Sequence, residues 1–217
     1  MNATVIVLAK APVPGRVKTR LTPAFTSAAA AELAAAALAD TIDVVRATPG
    51  ITPILVLEGA PPSWLPADLP VLPQRGGRLA ERISAAFADA YARSGGPVVL
   101  VGMDTPQLTP VLLRQAVDAL GDTDACLGPA TDGGWWLLGL RTPDARAFAG
   151  VPMSSPRTAM FQRVALRRLD LQVNELDELR DVDTAADARA VAALAPMTRF
   201  AHLIRELDAR PAPAVAG

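Results

Sequence analysis

The feature that most constrains this sequence is a set of short runs that are apolar at every position rather than at alternate ones. They include T-V-I-V-L at residues 4–8 and V-V-L-V at 98–101. A strand with one face in water alternates apolar and polar residues, whereas a strand apolar throughout is buried on both faces. Helical spacing separates these runs. An alanine-rich segment covers 27–47, and Leu79, Ile83, Ala86, Phe87 and Ala90 recur at the helical period. Thr109-Pro110 places a capping hydroxyl ahead of a proline at the first helical position. Further strands are expected at 51–57, 71–72, 124–127, 136–140 and 171–173, and further helices at 158–168, 185–194 and 197–209. Alternation of this kind predicts an α/β fold with a parallel or mixed sheet covered on both faces. The 217 residues suit one domain, expected over 1–209. A disordered C-terminal tail of small residues and proline is expected at 210–217.

Ligands of such sheets sit beyond the carboxyl ends of the strands, and the notable polar residues fall there. After the first strand comes K-A-P-V-P-G-R-V-K-T-R-L at 10–21, which gathers Lys10, Arg16, Lys18 and Arg20 around Gly15. Glycine permits close backbone approach, and N–H groups with cationic side chains hold phosphate oxygens. A basic surface loop is the alternative. Neither the Walker pattern nor the dinucleotide fingerprint is present. Gln74, Gly76 and Gly77 follow a short strand and suit hydrogen bonding to a nucleobase edge, although a plain turn also explains them. Asp104 follows V-V-L-V-G-M directly and is placed to hold a cation facing phosphate, or else to start a turn. In D-V-D-T at 181–184, Asp183 or Thr184 can cap the helix that follows, or Asp183 can be a second metal ligand. Asp132-Gly133-Gly134 sits at a strand-to-strand bend, where Asp132 could bind hydroxyls or a metal. Trp135 and Trp136 must point to opposite faces of a strand, so at most one indole lines a pocket.

Several classes are excluded. One cysteine, Cys126, allows no internal disulfide and no cysteine-rich zinc site; it reads as a buried thiol. One histidine, His202, lies in an amphipathic segment, which argues against histidine-based catalysis. Any metal should therefore be a hard one held by carboxylates, Mg²⁺ or Mn²⁺. A net charge of −1 argues against a general nucleic-acid partner. The apolar runs are too short for a membrane span, and the first is a poor secretory signal, so a cytoplasmic location is expected.

K-A-P-V-P-G-R-V-K-T-R-L, G-M-D-T-P, G-P-A-T-D-G-G-W-W-L-L-G-L and L-R-D-V-D-T together resemble a family of small bacterial glycosyltransferase-A-fold proteins that includes glycosyltransferases linked to arsenosugar biosynthesis. That family is similar to the guanylyltransferases of the deazaflavin cofactor pathway and to molybdenum-cofactor nucleotidyltransferases. The resemblance implies a three-layer α/β/α nucleotide-diphospho-sugar transferase fold, Rossmann-like, with a mostly parallel mixed sheet. It implies phosphate contacts from Lys18 and Arg20, with Lys10 and Arg16 nearby, and a divalent metal on Asp104 and Asp183. Asp132 and Gly133 would face the acceptor, with Trp135 and Ser155 beside them. Lys18, Asp104 and Asp132 become the catalytic candidates. The family usually has tyrosine near Trp135 and often tryptophan near Met153, so the acceptor side differs here. The expected activity is Mg²⁺-dependent transfer of a glycosyl group from a nucleotide sugar to a small-molecule acceptor. The alternatives are a guanylyl- or cytidylyl-type nucleotidyltransferase acting on a phosphorylated or acidic metabolite, and a non-catalytic nucleotide-binding protein. A homodimer is compatible with the sequence.

Overall fold

The structure, a computed structural model, describes residues 2–210. The expectation of a disordered tail falls almost wholly on 211–217, outside the described residues. Seven strands form one sheet: β1 (Ala3–Lys10), β2 (Ile51–Glu58), β3 (Val71–Pro73), β4 (Val98–Gly102), β5 (Ala125–Pro129), β6 (Trp135–Leu140) and β7 (Val173–Glu175). Six α-helices accompany them: α1 (Ser27–Ala47), α2 (Leu79–Ser94), α3 (Pro110–Asp122), α4 (Thr158–Arg167), α5 (Ala185–Leu194) and α6 (Arg199–Ala209). The spatial order is β3-β2-β1-β4-β6-β5-β7. β6 pairs antiparallel to β4 and β5, and every other pairing is parallel. The sheet is therefore mixed and mostly parallel.

The uniformly apolar strands are buried on both sides. In β1, Val5, Val7 and Ala9 enter the core under α1 and α3, while Ile6 enters the core under α2. β4 divides the same way, with Val99 and Val101 on one face and Val98 and Leu100 on the other. The alanine content of α1 has a packing reason. Ala31, Ala34 and Leu38 face the sheet, while Ala30, Leu33 and Ala37 face a third core with Phe200, Ala201 and Ile204 of α6. Small side chains let a helix be approached closely from both sides. The helix is started by Thr26, whose hydroxyl accepts from Ala29 N at 3.1 Å.

Chain order reverses at β1. From β1 the chain passes to β2 and β3 on one side, then returns to β4 on the other. This switch point opens a crevice at the carboxyl ends of β1 and β4. One strand is displaced from its sequence expectation: pairing of β7 begins at Val173, not at 171. Leu171 N still bonds Leu166 O at the end of α4, and the Asp124 carboxylate accepts from Gln172 N at 3.0 Å. The extended run starts only beyond that clamp. Residues 141–157, without clear pattern in the sequence, contain a single 3-10 turn, Ala145–Phe148. No helix among the described residues is long and apolar enough to cross a membrane.

Candidate active site

Two adjoining compartments occupy the crevice. The first, about 570 Å³, lies over the end of β1 and is lined by Lys10, Arg16, Lys18, Arg20 and Arg82, with Gln74, Asp104 and Asp183 at its edges. The second, about 510 Å³, lies beside the bend between β5 and β6. Asp104, Asp132, Asp181 and Asp183 line it, with Trp135, Met153 and Ser155, and among the described residues Arg20 is its only cation. Arg20, Asp104, Ser154 and Asp183 belong to both. The crevice is thus one cleft with a basic end, an acidic end and a shared boundary.

The boundary is built around Lys18. Its backbone is left-handed, φ 49°, a conformation that costs a non-glycine residue energy and is found where surrounding contacts enforce it. The side chain turns inward and is only 10% exposed. Its ammonium pairs with Asp104 Oδ1 at 2.6 Å and donates to the Val182 carbonyl. Val182 N in turn donates to Asp104 O at 2.9 Å. Lys18 therefore ties the loop after β4 to the segment ahead of α5. Arg20 makes the corresponding surface pair, Nη1 to Asp183 Oδ2 at 2.8 Å. The cap of α5 is Thr184, whose hydroxyl accepts from Asp187 N. Asp183 is left free to face the cleft. Asp104 likewise makes no cap, since its carboxylate goes to Lys18.

Asp181 is the residue that sequence reasoning missed. With Val182 buried, the extended run 181–183 sends Asp181 and Asp183 to the same side, the period-two signal of a strand-like segment. Asp181 Oδ1 is shut off from solvent without a hydrogen-bond partner. Burial pushes the Asp181 carboxyl up to about 8, and the negative charges of Asp104, Asp132 and Asp183 add to this against the opposing Lys18. Thr105 Oγ1 and Trp135 Nε1 are also buried without partners, and both residues line the acidic compartment. Unpaired buried polar atoms are rare in folded proteins, so their gathering here marks a place where polarity is reserved.

The remaining expected residues are placed as follows. Lys10 pairs loosely with Glu58 at 3.5 Å, and Arg82 pairs with the same carboxylate at 2.6 Å. Gln74 spends its amide N–H on Ala9 O at 2.8 Å, which joins the ends of β3 and β1 and keeps it at the cleft edge. Gly76 and Gly77 do not line the cleft. Gly77 N and Arg78 N donate to the Glu81 carboxylate, which organises the start of α2. Gly15 stands in open space with φ 75°. Asp132 Oδ1 accepts from Gly134 N at 2.7 Å, and its carboxylate borders the acidic compartment. Gly133 uses its freedom on the chain itself. At φ 86°, a Cβ there would meet Pro156 O at 2.0 Å, so the close approach is to the 152–156 loop. The two indoles divide. Trp136 is buried with Nε1 donating to Asp177 O at 3.0 Å, and Trp135 lies on the opposite face beside the cleft. Ser155 Oγ accepts from Arg157 N at 3.3 Å.

A divalent cation fits the chemistry of this donor set. The boundary offers hard carboxylate oxygens from Asp104 and Asp183, with the unpartnered Asp181 beside them. Among the described residues no three or more His, Cys, Asp or Glu side chains stand ready-grouped around one ion, and Asp104 and Asp183 are already paired with Lys18 and Arg20.

Sheet order, the single antiparallel strand β6 and the cleft at the β1/β4 switch point define the nucleotide-diphospho-sugar transferase fold. Within it, residues 28–155 match the family described as "Uncharacterized protein conserved in bacteria (DUF2064)", and the chain belongs to that family. Among solved structures, a protein of Desulfovibrio desulfuricans G20, provisionally described as a nucleotide-diphospho-sugar transferase, superposes with a TM-score of 0.89 at 27% identity over 96% of each chain. Rv0371c of Mycobacterium tuberculosis H37Rv, solved as a manganese complex, gives a TM-score of 0.58 at 25% identity over 88% of this chain and 98% of its own. CMP:2-keto-3-deoxy-manno-octonic acid synthetase, solved with CTP, gives 0.56 at 11% identity over 90% of this chain and 99% of its own, a likeness of fold alone. No curated protein matches the chain.

Proposed function

We propose that the protein is a nucleotide-using transferase that moves a glycosyl group from a nucleotide sugar to a small-molecule acceptor. The observation that carries this reading is the meeting of Lys18, Arg20, Asp104 and Asp183 where a basic and an acidic compartment join. A pyrophosphate needs cations along its length, and a transferred group must pass from that end to an acceptor. In the basic compartment Lys10, Arg16, Lys18, Arg20 and Arg82 would hold the donor's phosphates. Asp104 and Asp183 would hold Mg²⁺ or Mn²⁺, which when bound would neutralise charge on the leaving phosphate. An acceptor hydroxyl oxygen would bond to the anomeric carbon of the donor sugar as the bond from that carbon to the phosphate oxygen breaks. The electron pair of that bond leaves with the nucleotide, and the hydroxyl proton passes to a carboxylate, for which Asp132 borders the acceptor compartment. The relatives support this reading: one is provisionally described as a nucleotide-diphospho-sugar transferase and another was solved with manganese.

Nucleotidyl transfer is the second reading, favoured by the five cations around the basic compartment, which suit a triphosphate as well as a diphosphate. The products separate the two. With Mg²⁺, candidate donors and a pool of small metabolites, glycosyl transfer releases nucleoside diphosphate or monophosphate from a nucleotide sugar. Pyrophosphate release from a nucleoside triphosphate, dependent on acceptor and with nucleotide sugars inert, would replace our reading with the second. Tight nucleotide binding without any turnover would reduce the protein to a nucleotide-binding module.

A further inference from the structure

The two ends of the cleft differ in charge, and that difference restricts the second substrate. Five cations and two carboxylates line the basic compartment, whereas one cation and four carboxylates line the acidic one. Pairing sharpens the contrast. Asp104 and Asp183 are engaged by Lys18 and Arg20, so the unbalanced charge of the acidic compartment belongs to Asp132. Among the described residues no Lys, Arg or His other than Arg20 reaches its lining. A divalent cation on Asp104 and Asp183 would stand at the boundary, where the donor's phosphate oxygens compete for it. An anionic group deeper in the acidic compartment would therefore lose its hydration and meet carboxylates instead of cations. Apolar side chains line the same compartment, Leu79, Ile83, Trp135 and Met153 among them, together with the hydroxyl-bearing Ser154 and Ser155.

We infer that the acceptor is a neutral, hydroxyl-bearing molecule with one apolar face, such as a sugar or another polyol, and not a phosphorylated or carboxylate metabolite. Its hydroxyls face Asp132 and the serines, and its C–H face lies on Trp135 and Met153. This assignment rests on the transferase reading for the word acceptor. The exclusion of anions from the acidic compartment rests only on the side chains that line it. It also bears on the choice of chemistry, because a nucleotidyltransferase whose nucleophile is a phosphate or carboxylate would need cations where the acidic compartment offers only Arg20 among the described residues, already paired with Asp183.

A thiol placed in each compartment reads the local charge directly. The native cysteine, Cys126, is buried and does not interfere. Ser155→Cys reports on the acidic compartment, with Met153→Cys as a second position should the first fail to fold. Thr19→Cys reports on the basic compartment. Each variant is reacted with a neutral methanethiosulfonate and with its sulfonate-bearing counterpart, and the ratio of the two rates is divided by the same ratio for free 2-mercaptoethanol. The ratio cancels the reactivity of the thiol itself. At low salt the sulfonate should be disfavoured about fivefold or more at Ser155→Cys and favoured at Thr19→Cys, with both effects shrinking in 0.5 M salt. Adding Asp132→Asn, which keeps an oxygen for Gly134 N, should bring the Ser155→Cys ratio toward the free-thiol value. A sulfonate that reacts at Ser155→Cys at the free-thiol ratio or better would overturn the inference, as would faster turnover of a sugar acid than of its neutral sugar. Absence of turnover with every acceptor, with the thiol ratios as expected, would instead count against the transferase reading and leave the charge map standing.

Discussion

Lys18 carries two duties, and replacing it separates them. The structure gives its ammonium two partners, Asp104 Oδ1 at 2.6 Å and the Val182 carbonyl. Each is a charge-assisted hydrogen bond of roughly 1.5–3 kcal/mol. Lys18→Met retains most of the buried stem and removes both. The loss is partly offset at Asp104, whose side chain is 43% exposed and can be rehydrated. It is not offset at the Val182 carbonyl, which faces the inward-turned side chain. The net destabilisation should be about 2–3 kcal/mol. Arg20→Met is the control. Its guanidinium is 74% exposed and its Asp183 partner 37%, so its ion pair should contribute at most about 1 kcal/mol. Urea denaturation of the three proteins, with slopes compared to confirm that the same surface unfolds, measures the difference. Both variants should bind a nucleotide more weakly, by roughly 1.5–3 kcal/mol for each lost phosphate contact. If Lys18→Met unfolds within about 0.5 kcal/mol of wild type, the ammonium does not hold the two loops together. The geometric account of the boundary would then be wrong.

Asp104→Asn keeps an oxygen for the Lys18 ammonium but removes its counter-charge, so it should lower stability by about 1–2 kcal/mol and remove metal-dependent turnover; full activity in that variant would sink the metal assignment. Gly133→Ala forces a Cβ to within 2.0 Å of Pro156 O at φ 86°, so the 152–156 loop must move, and thermal unfolding should show a loss of at least about 2 kcal/mol. Asp40 is 7% exposed and accepts from Arg199 N and Phe200 N at the start of α6; Asp40→Ala should destabilise by about 2–3 kcal/mol, and a midpoint equal to wild type would show that α6 starts without it. Burial pushes the Cys126 thiol from 9.0 up to about 12, so the unfolded chain ionises first and stability is lost as pH rises from 9 toward 12. At pH 10 the loss should be about 1.4 kcal/mol relative to pH 8, read as the difference in pH slope between wild type and Cys126→Ala, and parallel slopes would refute it.

The architecture was legible because burial on both faces leaves a plain trace. A run such as V-V-L-V cannot serve as a half-exposed strand, and the helical spacing of Leu79, Ile83, Phe87 and Ala90 cannot serve as a strand at all. The bounds of α1 and α5 follow from Thr26 and Thr184, hydroxyls that accept from backbone N–H groups at 29 and 187. β7 was less legible because it is three residues long and its start is fixed by Asp124, 48 residues earlier in the chain. The direction of β6 was also hidden. Its six residues W-W-L-L-G-L are apolar throughout, and antiparallel pairing leaves no mark in a strand that is buried on both faces. Gly139 shows the sort of constraint that only packing reveals: a Cβ there would meet Cys126 Sγ at 2.5 Å.

The site was legible one strand end at a time, and the pairing across those ends was not. Composition places cations after β1 and a carboxylate after β4, but nothing in K-T-R or G-M-D says that Lys18 turns inward to Asp104 while Arg20 stays outside. That division comes from the left-handed backbone at Lys18 and from the segment 181–183, whose contacts with Lys18 and Arg20 span 164 and 163 residues of chain. Asp181 was passed over for a related reason. In the sequence D-V-D-T reads as a helix start capped by Asp183 or Thr184, or as a metal ligand at Asp183, and neither reading calls on Asp181. Once Thr184 supplies the cap, neither Asp181 nor Asp183 is needed for the helix, and both are turned toward the cleft with Asp104 and Asp132. Four carboxylates so close together oppose one another's ionisation, which is unfavourable for the folded chain by itself. Lys18 and Arg20 offset part of that cost in the free protein. A bound cation and donor phosphates would redistribute these pairings, drawing Lys18 and Arg20 toward phosphate as the carboxylates turn to the ion. The charges that line the cleft, five cations and four carboxylates, are thus close to balance, and small changes in ligand charge should shift these pairings.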